Sequence, residues 1–207
     1  MAEAFVKMFD AAPSSLVADS PRTRASPTHY VYIELEDEVI SQLRVLQEAL
    51  SEEAMKFDLE EIDILHAHIT LGVFDLRPCM QEYSEESLDC LKRELLLEVM
   101  EDRPSFQANF LSLGHFSGKF LYVEIERSQD LLDLRSKVVD TFEKHGIPCT
   151  DKRPYAPHIT LFKGSMRTTA DEETKLSLRE FVSSIELPDM KPVWVDAVHI
   201  REIGGRK

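Results

Sequence analysis

One tetrapeptide, His-Ile-Thr-Leu, occurs twice in this chain of 207 residues, and it constrains the fold more than any other feature. The copies span residues 68–71 and 158–161, so they lie 90 positions apart. The composition predicts only about 0.3 His-x-Thr triplets by chance. Because successive side chains of a β-strand point to opposite faces, each copy would present its histidine and threonine together and direct its isoleucine and leucine into a core.

The hydrophobic pattern around the two copies predicts a similar order of elements in each half of the chain. The predicted strands lie at 30–35, 66–76, 106–113, 119–126, 157–163 and 192–200. The predicted helices lie at 39–50, about 84–99, 131–145 and 171–183. Between the strands of the predicted hairpin, His115-Phe116-Ser117 is flanked by glycines and is expected to form the bend. We therefore expect an α+β fold of two halves whose motifs face each other across a shared cleft.

The charge balance restricts the kinds of ligand. A net charge of −14 argues against general binding to a nucleic-acid backbone, because phosphate neutralisation requires a basic face. A small phosphate ligand remains compatible, since the segment 144–167 holds five basic side chains against one acidic side chain and could focus an anion. The alternative is that these are ordinary surface charges.

The remaining composition indicates a soluble chain in a reducing compartment. No apolar run approaches the roughly 18 residues that span a bilayer, and the N-terminus has no pattern of a secretory signal. Cys79, Cys90 and Cys149 are odd in number and lack a CxxC spacing, which is typical of free thiols in the cytoplasm, with the nucleus as the alternative. The segment 1–27 is rich in proline and serine and is predicted to be a flexible tail. Residues 28–207 are predicted to form a single, monomeric domain.

Two facing histidines, each beside a hydroxyl, indicate acid-base chemistry on a phosphate. Cleavage of a phosphodiester through a neighbouring hydroxyl needs one group to remove a proton and another to supply one. Imidazoles can divide these tasks near neutral pH, so His68 and His158 are the predicted catalytic pair. Thr70 and Thr160 would donate hydrogen bonds to the phosphate oxygens where charge develops. Neither a metal nor a cofactor is required.

These residues resemble the motifs of the 2H phosphoesterase superfamily. The resemblance is carried by His68-Ile69-Thr70, by His158-Ile159-Thr160 with the preceding Tyr155-Ala156-Pro157, and by the order of elements over 28–207. Within the superfamily the chain looks most like the branch containing the central domain of A-kinase anchoring protein 7 and coronavirus 2′,5′-phosphodiesterases. The resemblance implies a bilobal, pseudo-two-fold fold with two antiparallel sheets facing a central cleft and helices outside. It also implies metal-independent cleavage of ribose 2′-linked or 2′,3′-cyclic phosphates of RNA ends or short oligonucleotides, with 2′,5′-oligoadenylates favoured.

Other side chains near the motifs are candidates for substrate binding. The candidate platforms for stacking a base are Tyr30, Tyr32, Phe116, Tyr155 and Phe162, with simple core packing as the alternative for each. Arg153 is a candidate phosphate contact. Lys163 would also suit this role, but strand alternation directs it away from the motif face.

Two alternatives compete with this hypothesis. His66 and His68 form a His-x-His pair that could bind a metal ion, although the sequence identifies no further ligands. The second alternative is a nucleotide-binding or protein-docking module without turnover. The intact histidine and threonine at both motifs argue against it, because a binding-only pocket needs no matched acid and base.

Overall fold

The computed structural model describes residues 26–164 and 171–204, so the predicted tail lies outside the described residues except for Ser26 and Pro27. The strands are β1 (His29–Glu34), β2 (Leu59–Glu61), β3 (His68–Phe74), β4 (Phe106–Ala108), β5 (Phe110–Phe116), β6 (Phe120–Ile125), β7 (His158–Gly164), β8 (Val193–Val195) and β9 (His199–Glu202). The helices are α1 (Asp37–Met55), α2 (Arg77–Glu82), α3 (Glu85–Met100), α4 (Gln129–Lys144) and α5 (Glu172–Ser184), with a short 3-10 helix at Ile64–His66. None of these helices is both long and apolar enough to cross a membrane.

Two antiparallel sheets form the framework of the fold, as predicted. The first has the order β3-β1-β9 and the second has the order β2-β7-β6-β5, while β4 and β8 pair separately. The last strand of each half therefore joins the sheet of the other half: β5 pairs with β6, and β9 pairs with β1. This exchange relates the two sheets by a pseudo-two-fold arrangement in which β3, β1 and β9 correspond to β7, β6 and β5.

The helices cover the buried faces of the motif strands. Helix α1 contacts β7, and helix α4 contacts β3, so each half also covers the motif strand of the other. Of the apolar positions predicted in α1 from helical spacing, Ile40 is half-buried and the others are buried: Val39, Leu43, Leu46 and Leu50. On the opposite side, Phe142 of α4 stacks on Phe74 of β3 with ring centroids 4.2 Å apart. Each motif strand is thereby apolar on one face and open on the other.

Both motif strands contain a β-bulge directly after the threonine. In β3, Tyr32 of β1 faces Thr70 while Val31 faces Gly72, so Leu71 has no partner in the register. In β7, the same irregularity leaves out Leu161. A bulge places two successive residues opposite one residue of the partner strand, so the alternation of faces shifts after it. The first five residues of the two strands consequently share one burial pattern. The histidine and the threonine are half-buried, and the isoleucine between them and the two residues after them are buried.

This bulge explains why the prediction for Phe162 is wrong. Simple alternation would place Phe162 on the same face as His158 and Thr160, where it could stack on a base. In the structure Phe162 follows the bulge and has no exposed surface, so it belongs to the core. Lys163 is exposed.

A buried glutamine stabilises the bulge of β7. Gln47 of α1 is buried, and its amide nitrogen donates to the carbonyl oxygen of Leu161 at 2.7 Å and to that of Ile62 at 3.0 Å. A bulge disrupts the regular ladder, and the Leu161 carbonyl at this bulge accepts one backbone hydrogen bond, from the Ile62 N–H at 3.1 Å. The side chain of Gln47 therefore supplies a hydrogen bond at the bulge residue itself.

The predicted strands at 106–113 and 192–200 are each divided in the structure. Residues 106–108 form β4 and residues 193–195 form β8, and these two short strands pair with each other. The chain then enters the main sheets as β5 and β9. The apolar pattern of the sequence continues without a break where the chain passes from one sheet to the next, so it does not reveal where each predicted strand is divided. The bend between β5 and β6 is also shorter than predicted, because Phe116 ends β5 and only Ser117 and Gly118 adopt positive φ there.

Candidate active site

The two motif histidines are held by the same backbone contact. Nδ1 of His68 lies 2.8 Å from the carbonyl oxygen of His66, and Nδ1 of His158 lies 2.8 Å from that of Ala156. A carbonyl oxygen only accepts hydrogen bonds, so Nδ1 must be the donor in each ring. Nε2 of each neutral ring is then left as the atom that can exchange a proton with a ligand.

The structure brings the two motif strands together, and His158 and both motif threonines line one cavity. Strands β3 and β7 contact each other, and the two histidines are close enough that the charge of His158 lowers the pKa of His68. A cavity of about 370 Å³ is lined by Thr70, His158 and Thr160 together with the segment 153–156, whereas His68 is not one of its lining residues. The pairing of histidine and threonine on one face of each strand, expected from the repeated motif, is thus present in the structure.

Aromatic rings surround both imidazoles. Tyr30 stacks on His68 with centroids 4.8 Å apart, and Tyr32 approaches the same ring edge-on at 5.2 Å. On the other side Phe116 lies edge-on to His158 at 4.8 Å. Tyr30, Tyr32 and Phe116 are therefore in direct contact with the motif histidines, where they restrict the orientation of each ring. Tyr32 is buried, with 6% of its surface exposed, so the prediction that it stacks on a base is wrong.

Burial makes both histidines weaker bases than usual. The pKa of His68 is lowered to about 4, mainly by desolvation and further by the positive charges of Arg201 and His158. The pKa of His158 is also lowered by desolvation and by the positive charge of Arg153, while its hydrogen bond to the Ala156 carbonyl acts in the opposite direction. The two rings thus have similar positions and different electrostatic surroundings.

A tyrosine and a glutamate accompany each motif, and sequence reasoning did not assign them to the site as pairs. Glu34 lies opposite His68 in the register of β1 and β3, and Glu124 lies opposite His158 in that of β6 and β7. Tyr32 and Tyr122 likewise lie opposite the two threonines. The signal was available, since Tyr-Ile-Glu at 32–34 and Tyr-Val-Glu at 122–124 repeat with the same spacing of 90 residues as the motifs.

The two glutamates are held by different neighbours. Oε2 of Glu34 lies 3.6 Å from Nε2 of His199, whereas Oε2 of Glu124 accepts a hydrogen bond from the Ser112 hydroxyl at 3.2 Å. Each glutamate therefore links the middle strand of its sheet to the third strand.

The segment before the second motif forms another wall of the cavity. Arg153 lines it, and its guanidinium is paired with Asp151 through Nε and Nη2, both at 3.0 Å. The ring of Tyr155 lies beneath Arg135 of α4, whose guanidinium carbon is 5.2 Å from the ring centroid. The Tyr155 hydroxyl and Arg135 Nε are buried and have no hydrogen-bond partner among the described residues. Arg135 had no sequence signal, because it lies within an amphipathic helix with charged residues on either side.

Arg201 completes the surroundings of His68 and was also missed. Its guanidinium carbon lies 5.1 Å from the centroid of the Tyr32 ring, against which His68 packs. Arg201 belongs to β9, which is more than 130 residues from His68 in sequence, so only the pairing of β9 with β1 brings them together.

The His-x-His pair does not lie in a metal-binding cluster of the described structure. Nε2 of His66 lies 3.4 Å from Oδ2 of Asp63. Across residues 26–164 and 171–204, no group of three histidine, cysteine, aspartate or glutamate side chains is arranged to hold a metal ion.

Comparisons with known proteins agree with this architecture. The sequence model of the family described as the AKAP7 2′5′ RNA ligase-like domain matches residues 27–207 of this chain. The structure of E. coli LigT in its apo form is similar with a TM-score of 0.55 at 17% identity, over 87% of this chain and 90% of that chain. TT0787 of Thermus thermophilus is similar with a TM-score of 0.52 at 18% identity, over 84% and 83% of the two chains. The MHV ns2 PDE domain is similar with a TM-score of 0.54 at 13% identity, over 86% of this chain and 100% of that chain. No curated protein shows significant sequence similarity.

Proposed function

The chain belongs to the AKAP7 2′5′ RNA ligase-like domain family of the 2H phosphoesterase superfamily, and from this premise we propose that it is a metal-independent phosphodiesterase. Its proposed substrates are ribose 2′-linked or 2′,3′-cyclic phosphates of RNA ends or short oligonucleotides. The observation that carries the proposal is the matched anchoring of His68 and His158, which leaves Nε2 of each ring for proton transfer. Each ring has a threonine hydroxyl two residues along the same strand face.

The proposed reaction on a 2′,5′ linkage is an in-line displacement at one phosphorus. One imidazole removes the proton of the ribose 3′-hydroxyl, whose oxygen attacks the 2′-phosphate and forms a 2′,3′-cyclic phosphate. The other imidazole donates its proton to the departing 5′-oxygen of the next nucleotide. Thr70 and Thr160 donate hydrogen bonds to the two non-bridging oxygens, where they stabilise the charge of the transition state. Opening of a 2′,3′-cyclic phosphate follows the same scheme: one imidazole removes a proton from water, whose oxygen bonds to phosphorus, and the other protonates the departing 3′-oxygen, which leaves a 2′-phosphate.

The unequal surroundings of the rings support an assignment of these roles. A general base must be neutral before the reaction, and a general acid must carry a proton. His68 has a pKa of about 4 and is neutral at pH 7, which favours it as the base. The pKa of His158 is lowered less than that of His68, so His158 is the ring of the pair that holds a proton more readily, which favours it as the acid. A bound phosphate would raise the pKa of both rings, because a nearby negative charge stabilises the imidazolium.

We expect the pH dependence of kcat/KM to be bell-shaped with its maximum on the acidic side of about pH 6.5, the ordinary pKa of histidine. The rate falls as pH decreases through the pKa of His68, about 4, because the base becomes protonated. It falls as pH rises through the pKa of His158, which burial holds below its usual value, because the acid loses its proton. The two apparent values belong to the coupled pair.

The acidic limb of the pH profile should shift when Arg201 is replaced. Arg201→Gln removes a positive charge that lowers the pKa of His68, so this limb moves to higher pH and the bell narrows. Initial rates measured from about pH 4 to pH 8 test this result. A profile with a single limb, or an acidic limb that stays in place in the variant, would contradict the assignment of His68 as base.

The substrate class is tested by a panel of 2′,5′-linked, 3′,5′-linked and 2′,3′-cyclic adenosine substrates, assayed with a chelator present. We expect cleavage of the 2′-linked or cyclic compounds and no cleavage of the 3′,5′-linked control, with the position of the product phosphate identified by NMR. Nucleotide binding without product from any compound would instead identify a binding module. Loss of activity on adding chelator would support the metal hypothesis.

A further inference from the structure

The pseudo-two-fold arrangement allows equivalent positions of the two sheets to be compared. In the second sheet, Phe116 of β5 lies opposite Phe120 of β6, and Gly114 lies opposite Tyr122. The corresponding positions of the first sheet place Arg201 of β9 opposite Tyr30 and His199 opposite Tyr32. The motif, tyrosine and glutamate positions are the same in both sheets, whereas the third strands differ in chemistry.

The third strand of the second sheet provides an apolar, aromatic surface. Phe116 stacks on Tyr122 with ring centroids 4.2 Å apart and lies edge-on to His158. Phe116 also lines the cavity. A surface of this kind suits the face of a nucleobase, which stacks on aromatic rings irrespective of its identity.

The third strand of the first sheet provides a cation instead. Arg77 and Arg153 each form an ion pair with an aspartate, but Arg201 has no carboxylate within 4.0 Å among the described residues. His199, two residues earlier on the same strand, lies 3.6 Å from the Glu34 carboxylate, so this carboxylate contacts His199 and not Arg201. Arg201 is exposed, and its guanidinium lies over Tyr32 rather than turned away from the site.

The position of Arg201 suits a group beside the scissile phosphate and not the scissile phosphate itself. Strand β9 lies two strand spacings from β3, or about 10 Å. Its guanidinium reaches back over the Tyr32 ring toward His68, whose pKa it lowers. A guanidinium offers a planar set of donors that matches the oxygens of a phosphate.

We propose that Arg201 binds a second phosphate of the substrate, adjacent to the one held by the two motifs. This inference rests on the proposed function and narrows it, because the preferred substrate then carries at least two phosphates. The aromatic side at Phe116 and the cationic side at Arg201 make the cleft directional, although its catalytic motifs are nearly symmetric. A chain of nucleotides is therefore expected to bind in one direction along the cleft and not in the opposite direction.

Binding to three 2′,5′-linked diadenylates tests this proposal. The first has free hydroxyl ends, the second has a 5′-phosphate and the third has a terminal 2′-phosphate. Calorimetry in a His158→Ala background prevents their consumption, and about pH 7.5 keeps His68 neutral in every variant. We expect one phosphorylated compound to bind about tenfold more tightly than the compound with free ends, as for one charge-assisted hydrogen-bonded contact.

The gain in affinity should depend on Arg201. Arg201→Gln is expected to abolish it, and Arg201→Lys to retain part of it, since a lysine keeps the charge without the planar donors. Arg44→Gln is the matched control, because Arg44 is exposed on the outer helix α1, and it should keep the full gain. Equal affinities for all three compounds, or a gain that survives in Arg201→Gln, would overturn the proposal.

The result is separable from the test of the proposed function. A preference for the second phosphate that disappears in Arg201→Gln, in a protein that turns over no substrate, would support this site and reject the enzymatic activity. Turnover of 2′-linked substrates with no preference for a second phosphate would support the enzymatic activity and reject the site at Arg201.

Discussion

Alanine at His68 or at His158 is expected to lower the rate of phosphodiester cleavage by about 10²- to 10⁴-fold, the usual contribution of a positioned general acid or base. Both rings use Nδ1 to contact a backbone carbonyl and leave Nε2 for the substrate. Each truncation removes one of the two proton transfers and leaves the other motif in place. The double variant should lose little more than the single variants, because residues that act as a unit are not additive.

His66→Ala is the matched control for these variants. His66 precedes His68 by two residues, and the contact to His68 uses only its backbone carbonyl, which alanine retains. We expect its rate to stay within about threefold of the unmodified chain, as for a side chain outside the catalytic set. Single-turnover rates measure the chemical step. A loss in His66→Ala as large as that in His68→Ala would instead favour the His-x-His metal site.

Valine at Thr70 or at Thr160 is expected to lower kcat by about 10²- to 10³-fold, the effect of removing one hydrogen-bond donor from a developing negative charge. Valine has nearly the shape of threonine and is favoured in strands, so β3 and β7 keep their backbone. What is lost is the hydroxyl of a residue that lines the cavity.

Serine at the same positions provides the control. Thr70→Ser and Thr160→Ser keep the hydroxyl and should recover most of the lost rate, while a thermal melt of each variant checks that the fold is intact. A valine variant with an unchanged kcat would show that the hydroxyl does not contact the charge that develops in the transition state.

The sequence predicted the parts of the site that depend on local periodicity. The pairing of His68 with Thr70, and of His158 with Thr160, follows from strand alternation over three residues, and the structure shows this arrangement. The helical spacing of apolar residues in α1 likewise predicted its buried face. Such features depend only on neighbouring residues, so a single sequence contains the information.

The sequence could not predict the features that depend on strand pairing. The bulge at Leu161 moves Phe162 into the core, and it is visible only in the register between β6 and β7. The exchange of β5 and β9 between the halves places Arg201 beside Tyr32, and no local pattern indicates this exchange. Glu34 and Glu124 are intermediate cases, because their common spacing from the motifs is readable but their position opposite each histidine is not.

The central claim is that two imidazoles far apart in sequence act on a single phosphorus. A crystal structure with adenosine 2′-monophosphate, a product of the proposed reaction, measures this most directly. We predict one phosphate between β3 and β7, with Nε2 of His68 and of His158 and both threonine hydroxyls within about 3 Å of its oxygens. A phosphate bound by one motif alone, with the other histidine out of reach, would contradict the proposed mechanism.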